Sequence, residues 1–305
     1  MSKQSLTDKI ENYINENKKF TMQNLYEEFS NKYKKHSIRA RVYENPRVLR
    51  TGRGAYVLAG AELEAIIEHA DSREHVFHIK KMMIYFDLLF FDIPYHAGGQ
   101  RGGNRSLINY PTISPEEFKN ILTEAEKMLK TEQSQVVFMI AGGKSSIKQS
   151  QKYIDCFDST LLKRHDTSYY TKLNKNGTIC NMGKYQLPKE LIISYSHSGQ
   201  DREEIENIKK GYNYEIERPK LKGGYKTEKP LKLLEEIVRR TTLEGERVLD
   251  MFTGSGAMLE AAVNLKRKFH GVEYLLDTIE DYIHPRMARL SSTTAKQPTL
   301  FDFLA

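Results

Sequence analysis

The sequence predicts an α/β protein built on a largely parallel sheet, preceded by a small basic domain of three helices and a hairpin. Three observations predict this fold class. An apolar run ends in an acidic residue at Asp92, and a strand, a glycine-containing turn, a helix and a second strand follow one another from Arg247 to Glu273. The first 60 residues change from helical periodicity to strand-like alternation.

Composition restricts the class of protein. The chain has 305 residues, 39% of them hydrophobic and 29% charged, which is typical of a globular protein with one large and one small domain. Its longest apolar runs are too short to cross a bilayer, and Met1 to Gln4 do not begin a signal peptide. Two cysteines, Cys156 and Cys180, indicate neither a disulfide framework nor a zinc site. We therefore expect a cytoplasmic protein without a membrane segment or a metal.

The predicted N-terminal domain covers residues 1–60. Its helices are expected near Leu6, Thr21 and Ser37, with Ser5 and Asp8 capping the first and Ser37 capping the third. Val48–Leu49 and Tyr56–Leu58 flank a turn with two glycines, as in a β-hairpin. This order resembles a winged helix-turn-helix, and residues 61–79 are predicted to form a connecting helix.

Positive charge is concentrated in this domain. Residues 1–60 contain twelve Lys or Arg and six Asp or Glu, out of a net charge of +7 for the chain. The resemblance to a winged helix implies that the third helix and the hairpin contact double-stranded DNA through Arg39, Arg41, Arg50 and Arg53. The alternative is a winged helix that binds a protein.

The predicted catalytic domain covers residues 80–290. The apolar run from Met82 to Phe91 suits a buried strand and ends in Asp92-Ile93-Pro94-Tyr95. Functional groups of open α/β sheets lie at the carboxyl ends of the strands, so Asp92 and Tyr95 are expected at the rim.

A nucleoside-binding pattern lies near the end of the chain. The strand Arg247–Asp250 leads into Met251-Phe252-Thr253-Gly254-Ser255-Gly256, a helix, and a strand that ends at Glu273. Glycines permit a tight turn close to a ligand, and an acid after the second strand can hold ribose hydroxyls. Just upstream, Tyr225-Lys226-Thr227-Glu228-Lys229-Pro230 precedes an amphipathic helix.

Together these segments resemble the β class of S-adenosylmethionine-dependent DNA amino-methyltransferases, in a Rossmann-like sheet with permuted motif order. The class writes Asp-Pro-Pro-Tyr, then His-Pro-Thr-Gln-Lys-Pro, then Leu-Asp-Pro-Phe-Ala-Gly-Ser-Gly-Thr, then Gly-Ile-Glu. The positions of this chain that match the class's motifs are Asp92, Pro94, Tyr95, Thr227, Lys229, Pro230, Leu249, Asp250, Phe252, Gly254, Ser255, Gly256, Gly271 and Glu273. Ile93 and Met251 depart from it, because each replaces a proline and leaves a less rigid backbone.

The resemblance implies a role for each motif. Asp92, Ile93, Pro94 and Tyr95 would act on the target base, with Tyr95 stacking on it. The cofactor turn would be formed by Asp250, Phe252, Thr253, Gly254, Ser255 and Gly256. Glu273 would hold the ribose of the cofactor. Its methionine end would be held by Thr227, Lys229 and Pro230. Lys172, Asn174, Glu190 and Leu191–Ile193 resemble the strand pair before the target-recognition region, which is expected at 194–224.

Two further segments are predicted to bind partners. The glycine-rich stretch after Tyr95 carries Arg101 and Arg105 and is interpreted as a mobile cationic lid over DNA. The alternative is a disordered connection that makes no contacts. Residues 291–305 are interpreted as a flexible tail that resembles sliding-clamp-binding peptides. Its contact residues would be Gln297, Leu300, Phe301, Phe303 and Leu304, and the alternative is a tail docked on its own domain.

The function predicted from these motifs is sequence-specific methylation of adenine N6 in DNA. Cytosine N4 is the alternative within the same fold, because Asp-Ile-Pro-Tyr does not distinguish the two bases. RNA and protein-glutamine methyltransferases use a similar tetrapeptide but place the cofactor loop before it. A DNA-binding regulator with weak catalysis is the alternative of another class, and the presence of both the glycines and Asp92 argues against it.

Overall fold

The computed structural model describes residues 5–17, 19–43, 48–52, 55–58, 65–94, 111–141, 147–180, 189–206, 208, 210–217, 219, 225 and 227–294. At the N-terminus, helices α1 (Leu6–Asn17), α2 (Met22–Phe29) and α3 (Lys35–Tyr43) enclose a small core that includes Ile10, Leu25 and Ile38. A three-stranded antiparallel sheet follows the order β1-β3-β2, with β1 (Lys19–Thr21), β2 (Val48–Gly52) and β3 (Ala55–Leu58).

The predicted three helices and hairpin are confirmed, with two differences. Strand β1 was not predicted, and its pairing with β3 extends the hairpin to three strands. The prediction that Ser37 caps the third helix is wrong, since α3 begins at Lys35 and Ser37 lies in its first turn. Thr21, where the second helix was expected to start, caps α2 in a reciprocal arrangement with Asn24. The winged-helix identity of this domain stays a prediction.

The main sheet has eight strands in the order β4-β11-β10-β5-β6-β8-β7-β9. The first five are parallel to one another, β8 is antiparallel to both β6 and β7, and β9 is parallel to β7. The strands are β4 (Ala65–His69), β5 (Leu88–Phe91), β6 (Gln135–Ala141), β7 (Lys163–Leu173), β8 (Lys189–Ser196), β9 (Asn213–Glu217), β10 (Arg247–Asp250) and β11 (Lys268–Glu273).

Helices cover both faces of this sheet, and alternating strand residues supply the two cores. Leu88 and Phe90 pack on the face of α7 (Leu231–Thr241), α8 (Ala257–Asn264) and α10 (His284–Thr294). Leu89 and Phe91 pack on the face of α4 (Ser72–Lys81), α5 (Pro115–Glu126) and α6 (Ile147–Ile154). The short helix α9 (Leu276–Thr278) and a π turn at Ile279–Ile283 lead from β11 into α10.

Two predictions about the start of the catalytic domain are wrong. Residues 65–69, within the expected connecting helix 61–79, form β4 and pair in parallel with β11, so the sheet begins before residue 80. The strand expected from Met82 is confined to Leu88–Phe91, because α4 runs to Lys81 and Met83 then turns the chain with a φ of 52°.

The outer strands are fastened to the core by a buried ion pair. Arg240 on α7 donates a hydrogen bond of 2.8 Å to Oδ2 of Asp166 on β7. The other oxygen of Asp166 accepts 2.7 Å from the backbone N–H of Gly211, just before β9. Asp166 therefore joins β7, the start of β9 and α7 at one point.

Candidate active site

Asp92 directly follows β5, a strand whose four residues are all buried. Its side chain keeps a quarter of its surface exposed, whereas the neighbouring Ile93 is buried in the core. The chain returns beside this point, since the N–H of Ile113 donates 2.9 Å to the carbonyl of Pro94. Tyr153 then donates 2.7 Å to the carbonyl of Ile113. Asp92 is thus presented on a strand end whose flanks are fixed.

The predicted cofactor turn follows β10. The N–H of Phe252 donates 3.0 Å to Asp250, and the N–H of Thr253 donates 3.0 Å to Val272 on the neighbouring strand. Gly254 and Gly256 have φ angles of 54° and 79°, which side chains rarely adopt. A Cβ on Gly254 would meet the Tyr225 hydroxyl at 3.3 Å, so this glycine also lies against a side chain. Ser255 between them is buried.

Glu273 ends β11 and faces this turn. Its Oε2 accepts 2.8 Å from the N–H of Gly254, and its Oε1 accepts 2.9 Å from Leu275. Burial raises the pKa of Glu273 to about 7 and that of Asp250 to about 8. Since β11, β10 and β5 are neighbours, Glu273, Asp250 and Asp92 end three adjacent strands at one edge. This edge therefore holds three carboxyl groups, of which Glu273 and Asp250 are partly protonated near neutral pH.

The third predicted segment reaches the first. Lys229 lies just before α7, and its Nζ is 2.6 Å from Oδ2 of Asp92. The same Nζ is 3.5 Å from Oε2 of Glu190 on β8, whose Oε1 is 2.5 Å from Nζ of Lys172 on β7. Thr227 is exposed and Pro230 is buried at the start of α7. The sequence assigned Lys172 and Glu190 only to a strand pair, so their place beside Asp92 is a finding of the structure.

Opposing charges set the ionisation of this group. Burial raises the pKa of Asp92, Lys229 and Lys172 lower it, and Glu190 raises it further, with a net rise. Burial also opposes ionisation of Glu190, but Lys229 and Lys172 outweigh it and lower that pKa. Asp92 is therefore the carboxyl of this pair that takes up a proton more readily.

Buried side chains hold the backbone at Ile93 and Met251, the two positions where the motifs of the resembled class have proline. Ile93 lies in the core on the α4, α5 and α6 face, 2% exposed. Met251 is buried in the same core, and its carbonyl accepts a hydrogen bond from Ser72 at the start of α4. A backbone held by buried side chains and a hydrogen bond needs less stiffness from proline.

The segment before α7, where the methionine end of the cofactor is predicted to bind, is also anchored by Arg286. Arg286 on α10 lies 2.7 Å from Glu228 and 3.3 Å from Glu260 on α8. It thereby ties the segment around Lys229 to the helix that follows the glycine turn. Nothing in the sequence patterns had indicated Arg286 as part of this region.

Some predicted residues lie outside the described part of the chain. They are Tyr95, Arg101, Arg105, Arg53, Gln297, Leu300, Phe301, Phe303 and Leu304, together with the side chain of Arg50. Arg39 and Arg41 are exposed on α3, next to the exposed Lys32, Lys34, Lys35 and His36. Within the described ranges, no cluster of three His, Cys, Asp or Glu fits a metal ion, and no helix is long and apolar enough to span a membrane.

Comparison with protein families gives a match over this region. The family model N6_N4_Mtase, described as DNA methylase, matches residues 86–283, about two thirds of the chain. That range contains Asp92, Lys229, the glycine turn and Glu273.

Curated relatives match over shorter segments. The Type II methyltransferase M2.MboI of Moraxella bovis is 39% identical over 61 residues, which cover 20% of this chain and 22% of that protein. The Type II methyltransferase M2.DpnII of Streptococcus pneumoniae is 37% identical over 70 residues, or 23% and 25% of the two chains. The aligned segments thus span a quarter or less of these curated relatives.

Solved structures show the same fold. The M1.HpyAVI–SAM complex matches with a TM-score of 0.54 and 17% identity, over 76% of this chain and all of that chain. The PvuII DNA methyltransferase, described as cytosine-N4-specific, matches with a TM-score of 0.50 and 13% identity, over 79% of this chain and 89% of that chain. The eight-stranded domain therefore has the α/β fold of DNA methyltransferases.

Proposed function

The chain belongs to the N6_N4 DNA methylase family, and from that premise we propose that it transfers a methyl group from S-adenosylmethionine to an exocyclic amino group in DNA, that of adenine N6. One observation carries the proposal. Asp92 directly follows β5, which lies beside β10, and the ends of β10 and of the adjacent β11 form the glycine turn and carry Glu273. A hydrogen-bond acceptor for an amine and a pocket for a nucleoside thus share one edge of the sheet.

The residues at this edge fit the cofactor. The two glycines with left-handed φ angles allow the tight turn Phe252–Gly256, and the ionised Glu273 can accept hydrogen bonds from ribose hydroxyls. Thr227, Lys229 and Pro230 would hold the methionine end. When bound, S-adenosylmethionine supplies an electrophilic methyl group on a sulfonium cation. That positive charge would favour ionisation of Glu273 and Asp250, whose pKa values are raised by burial.

Asp92 and Ile93 are proposed to prepare the target amine. The lone pair of an exocyclic amine is delocalised into the base, so the amine is a weak nucleophile. Hydrogen bonds from its two protons to the Asp92 carboxylate and the Ile93 carbonyl localise the lone pair on nitrogen and orient it. The methylated nitrogen must then lose a proton. Asp92, whose pKa is raised by burial, is suited to accept it.

DNA contacts are proposed for several parts of the chain. The exposed Arg39 and Arg41 on α3 support a phosphate contact by the N-terminal domain, together with Arg50 and Arg53 of the hairpin. The segment after Tyr95, with Arg101 and Arg105, would cover the extruded base, on which Tyr95 would stack. Residues 194–224 would read the sequence. The tail 291–305 would bind a sliding clamp.

Mass spectrometry of nucleosides tests the reaction and the base. DNA is incubated with the protein and S-adenosylmethionine, digested, and analysed for N6-methyladenine and N4-methylcytosine. N6-methyladenine in the wild-type reaction and its absence with Asp92→Ala support the proposal. N4-methylcytosine would keep the reaction and change the base. No methylated nucleoside, on DNA of diverse sequence, would contradict the proposed function.

A further inference from the structure

Four charged side chains form a continuous line at the active site, which we call the Asp92 charge line. In order they are Asp92, Lys229, Glu190 and Lys172, and the three contacts measure 2.6, 3.5 and 2.5 Å. They come from four separate parts of the chain, namely the end of β5, the segment before α7, β8 and β7. The two inner groups are the less exposed, at 13% for Lys229 and 11% for Glu190.

The first contact conflicts with the proposed role of Asp92. A target amine has to donate a hydrogen bond to this carboxylate, and Lys229 already donates to its Oδ2. An ammonium that stays on Oδ2 withdraws negative charge from the carboxylate and so weakens it as an acceptor for the amine. An ammonium that leaves Asp92 needs another anionic partner, either a protein carboxylate or the carboxylate at the methionine end of the bound cofactor, because a poorly solvated charge is costly.

Glu190 resolves this conflict by its position. Its Oε2 is 3.5 Å from the Lys229 Nζ, so a shift of about one ångström makes a close ion pair. Its Oε1 is held by Lys172, a diagonal neighbour on β7, since Tyr170 is the residue directly opposite Glu190. Lys172 thereby fixes the Glu190 carboxylate while Lys229 is on Asp92.

We propose that Glu190 is a positioning residue for methyl transfer, which takes Lys229 over from Asp92 when the target amine binds. The inference rests on the proposed function, because it assigns Asp92 the amine. Asp92 then accepts from the substrate with its full negative charge, and Lys229 stays neutralised within the protein. Lys172 supports the exchange by holding Glu190.

The exchange has an electrostatic consequence with a definite sign. Lys229 and Lys172 lower the pKa of Asp92, and Glu190 raises it, while Asp250 on the neighbouring strand is a further acid of the same edge. Removing the charge of Glu190 should therefore lower the pKa of Asp92, and removing that of Lys229 should raise it. A substitution that only loosens the structure would not produce opposite shifts.

The test compares Glu190→Gln, Lys229→Met and the double variant with the wild type. Glu124→Gln is the matched control, since Glu124 also bridges two lysines, Lys80 at 2.5 Å and Lys127 at 2.6 Å, but lies on α5 away from the site. The measurements are single-turnover transfer of labelled methyl to DNA against pH, cofactor affinity, and carboxyl titration by ¹³C NMR. The Asp92 signal is assigned by its loss in Asp92→Asn.

Glu190→Gln is expected to slow transfer about 10-fold to 100-fold, as misplacement of catalytic groups does, with cofactor affinity changed less than about twofold. The acid limb of its rate profile should move to lower pH, and that of Lys229→Met to higher pH. When Lys229 is already replaced by Met, the Glu190→Gln substitution should slow methyl transfer little further, because Glu190 is proposed to act through Lys229.

Three results would overturn the proposal: a Glu190→Gln rate equal to that of Glu124→Gln, independent effects in the double variant, or an Asp92 titration that both substitutions leave in place. Failure of the proposed function is recognised separately. If the wild type methylates no DNA, the proposed reaction is wrong, and the opposite Asp92 titration shifts still decide whether Glu190 and Lys229 control this carboxyl.

Discussion

The backbone N–H of Gly254 donates a hydrogen bond of 2.8 Å to Oε2 of Glu273, across the ends of two neighbouring strands. The glycine turn and the acid that were predicted as separate parts of a cofactor site are therefore one hydrogen-bonded unit. A substitution of either residue should therefore change the affinity for a ligand that contacts the other.

Substitution of Gly254 should weaken cofactor binding. Alanine at a φ of 54° costs about 1 kcal/mol in backbone strain, and its Cβ would lie 3.3 Å from the Tyr225 hydroxyl. Gly177→Ala is the control, because Gly177 has a φ of 76° and open space around it. We expect calorimetry to show an affinity loss of about tenfold or more for Gly254→Ala, none for Gly177→Ala, and no binding for Gly254→Arg. Wild-type affinity in Gly254→Arg would remove the cofactor from this turn.

Cofactor affinity should fall as the solution becomes acidic. Burial raises the pKa of Glu273 to about 7, and the proposed ribose contact uses the ionised carboxylate. Below this pH the free protein is protonated at Glu273 and must lose that proton to bind, so affinity should fall by up to about tenfold per pH unit. Titrations between pH 8 and 6 measure the slope. Glu273→Gln should bind weakly with a flatter slope, and an unchanged slope in that variant would assign the titration to another group.

Asp92→Ala should abolish methyl transfer and leave cofactor binding intact. Asp92 is proposed to contact the amine, and loss of one electrostatic contact to a reacting group commonly costs about 100-fold to 1000-fold in rate. Single-turnover transfer and calorimetry on the same preparation separate the two effects. Normal turnover in this variant would place the chemistry elsewhere.

DNA affinity should depend steeply on salt through the N-terminal domain. Each phosphate contact contributes about 0.9 to the slope of log K against log salt concentration, since contacts to phosphates release counterions. Alanine at Arg39, Arg41, Arg50 and Arg53 should flatten the slope by about 3 to 4. Lys81→Ala with Lys119→Ala, two exposed lysines of the catalytic domain, is the control. A slope that the four substitutions do not change would favour a protein-binding winged helix.

The tail should recruit a sliding clamp with modest affinity, on the order of micromolar, because ordering a short free segment opposes binding. Leu300, Phe303 and Leu304 are proposed to fill an apolar pocket, with Gln297 bonded at its rim. The test is a pull-down with the host clamp, in which Leu300→Ala with Phe303→Ala should lose the clamp and the wild type retain it. Equal retention of both proteins, or of neither, would give the tail another purpose.

Local patterns predicted much of the catalytic edge. The acid after β5 and the strand, turn and helix around Gly254 are encoded in contiguous residues, so apolar periodicity and glycine placement were sufficient to locate them. The family resemblance then predicted their roles, and the structure brings Asp92, Lys229 and Glu273 to one edge.

The features that the sequence did not predict depend on residues that are far apart in the chain. Residues 65–69 form β4 only through pairing with β11, about 200 residues later, so their local pattern did not exclude a helix. The ion pairs of Lys229 with Asp92 and Glu190 likewise join segments that no periodicity connects. Ser37 failed as a cap because the turn before α3 already starts the helix at Lys35.

The ion pair of Arg240 with Asp166 restricts how residues 194–224, the proposed target-recognition region, can be exchanged. Gly211 lies near the end of the stretch between β8 and β9, and its backbone N–H donates to the oxygen of Asp166 that Arg240 does not contact. A replacement segment that includes position 211 must therefore supply a backbone N–H to that carboxylate in addition to any new base contacts. A replacement that fails to do so leaves one oxygen of the buried Asp166 without its hydrogen-bond donor. Exchange of this region is therefore best confined to residues 197–210.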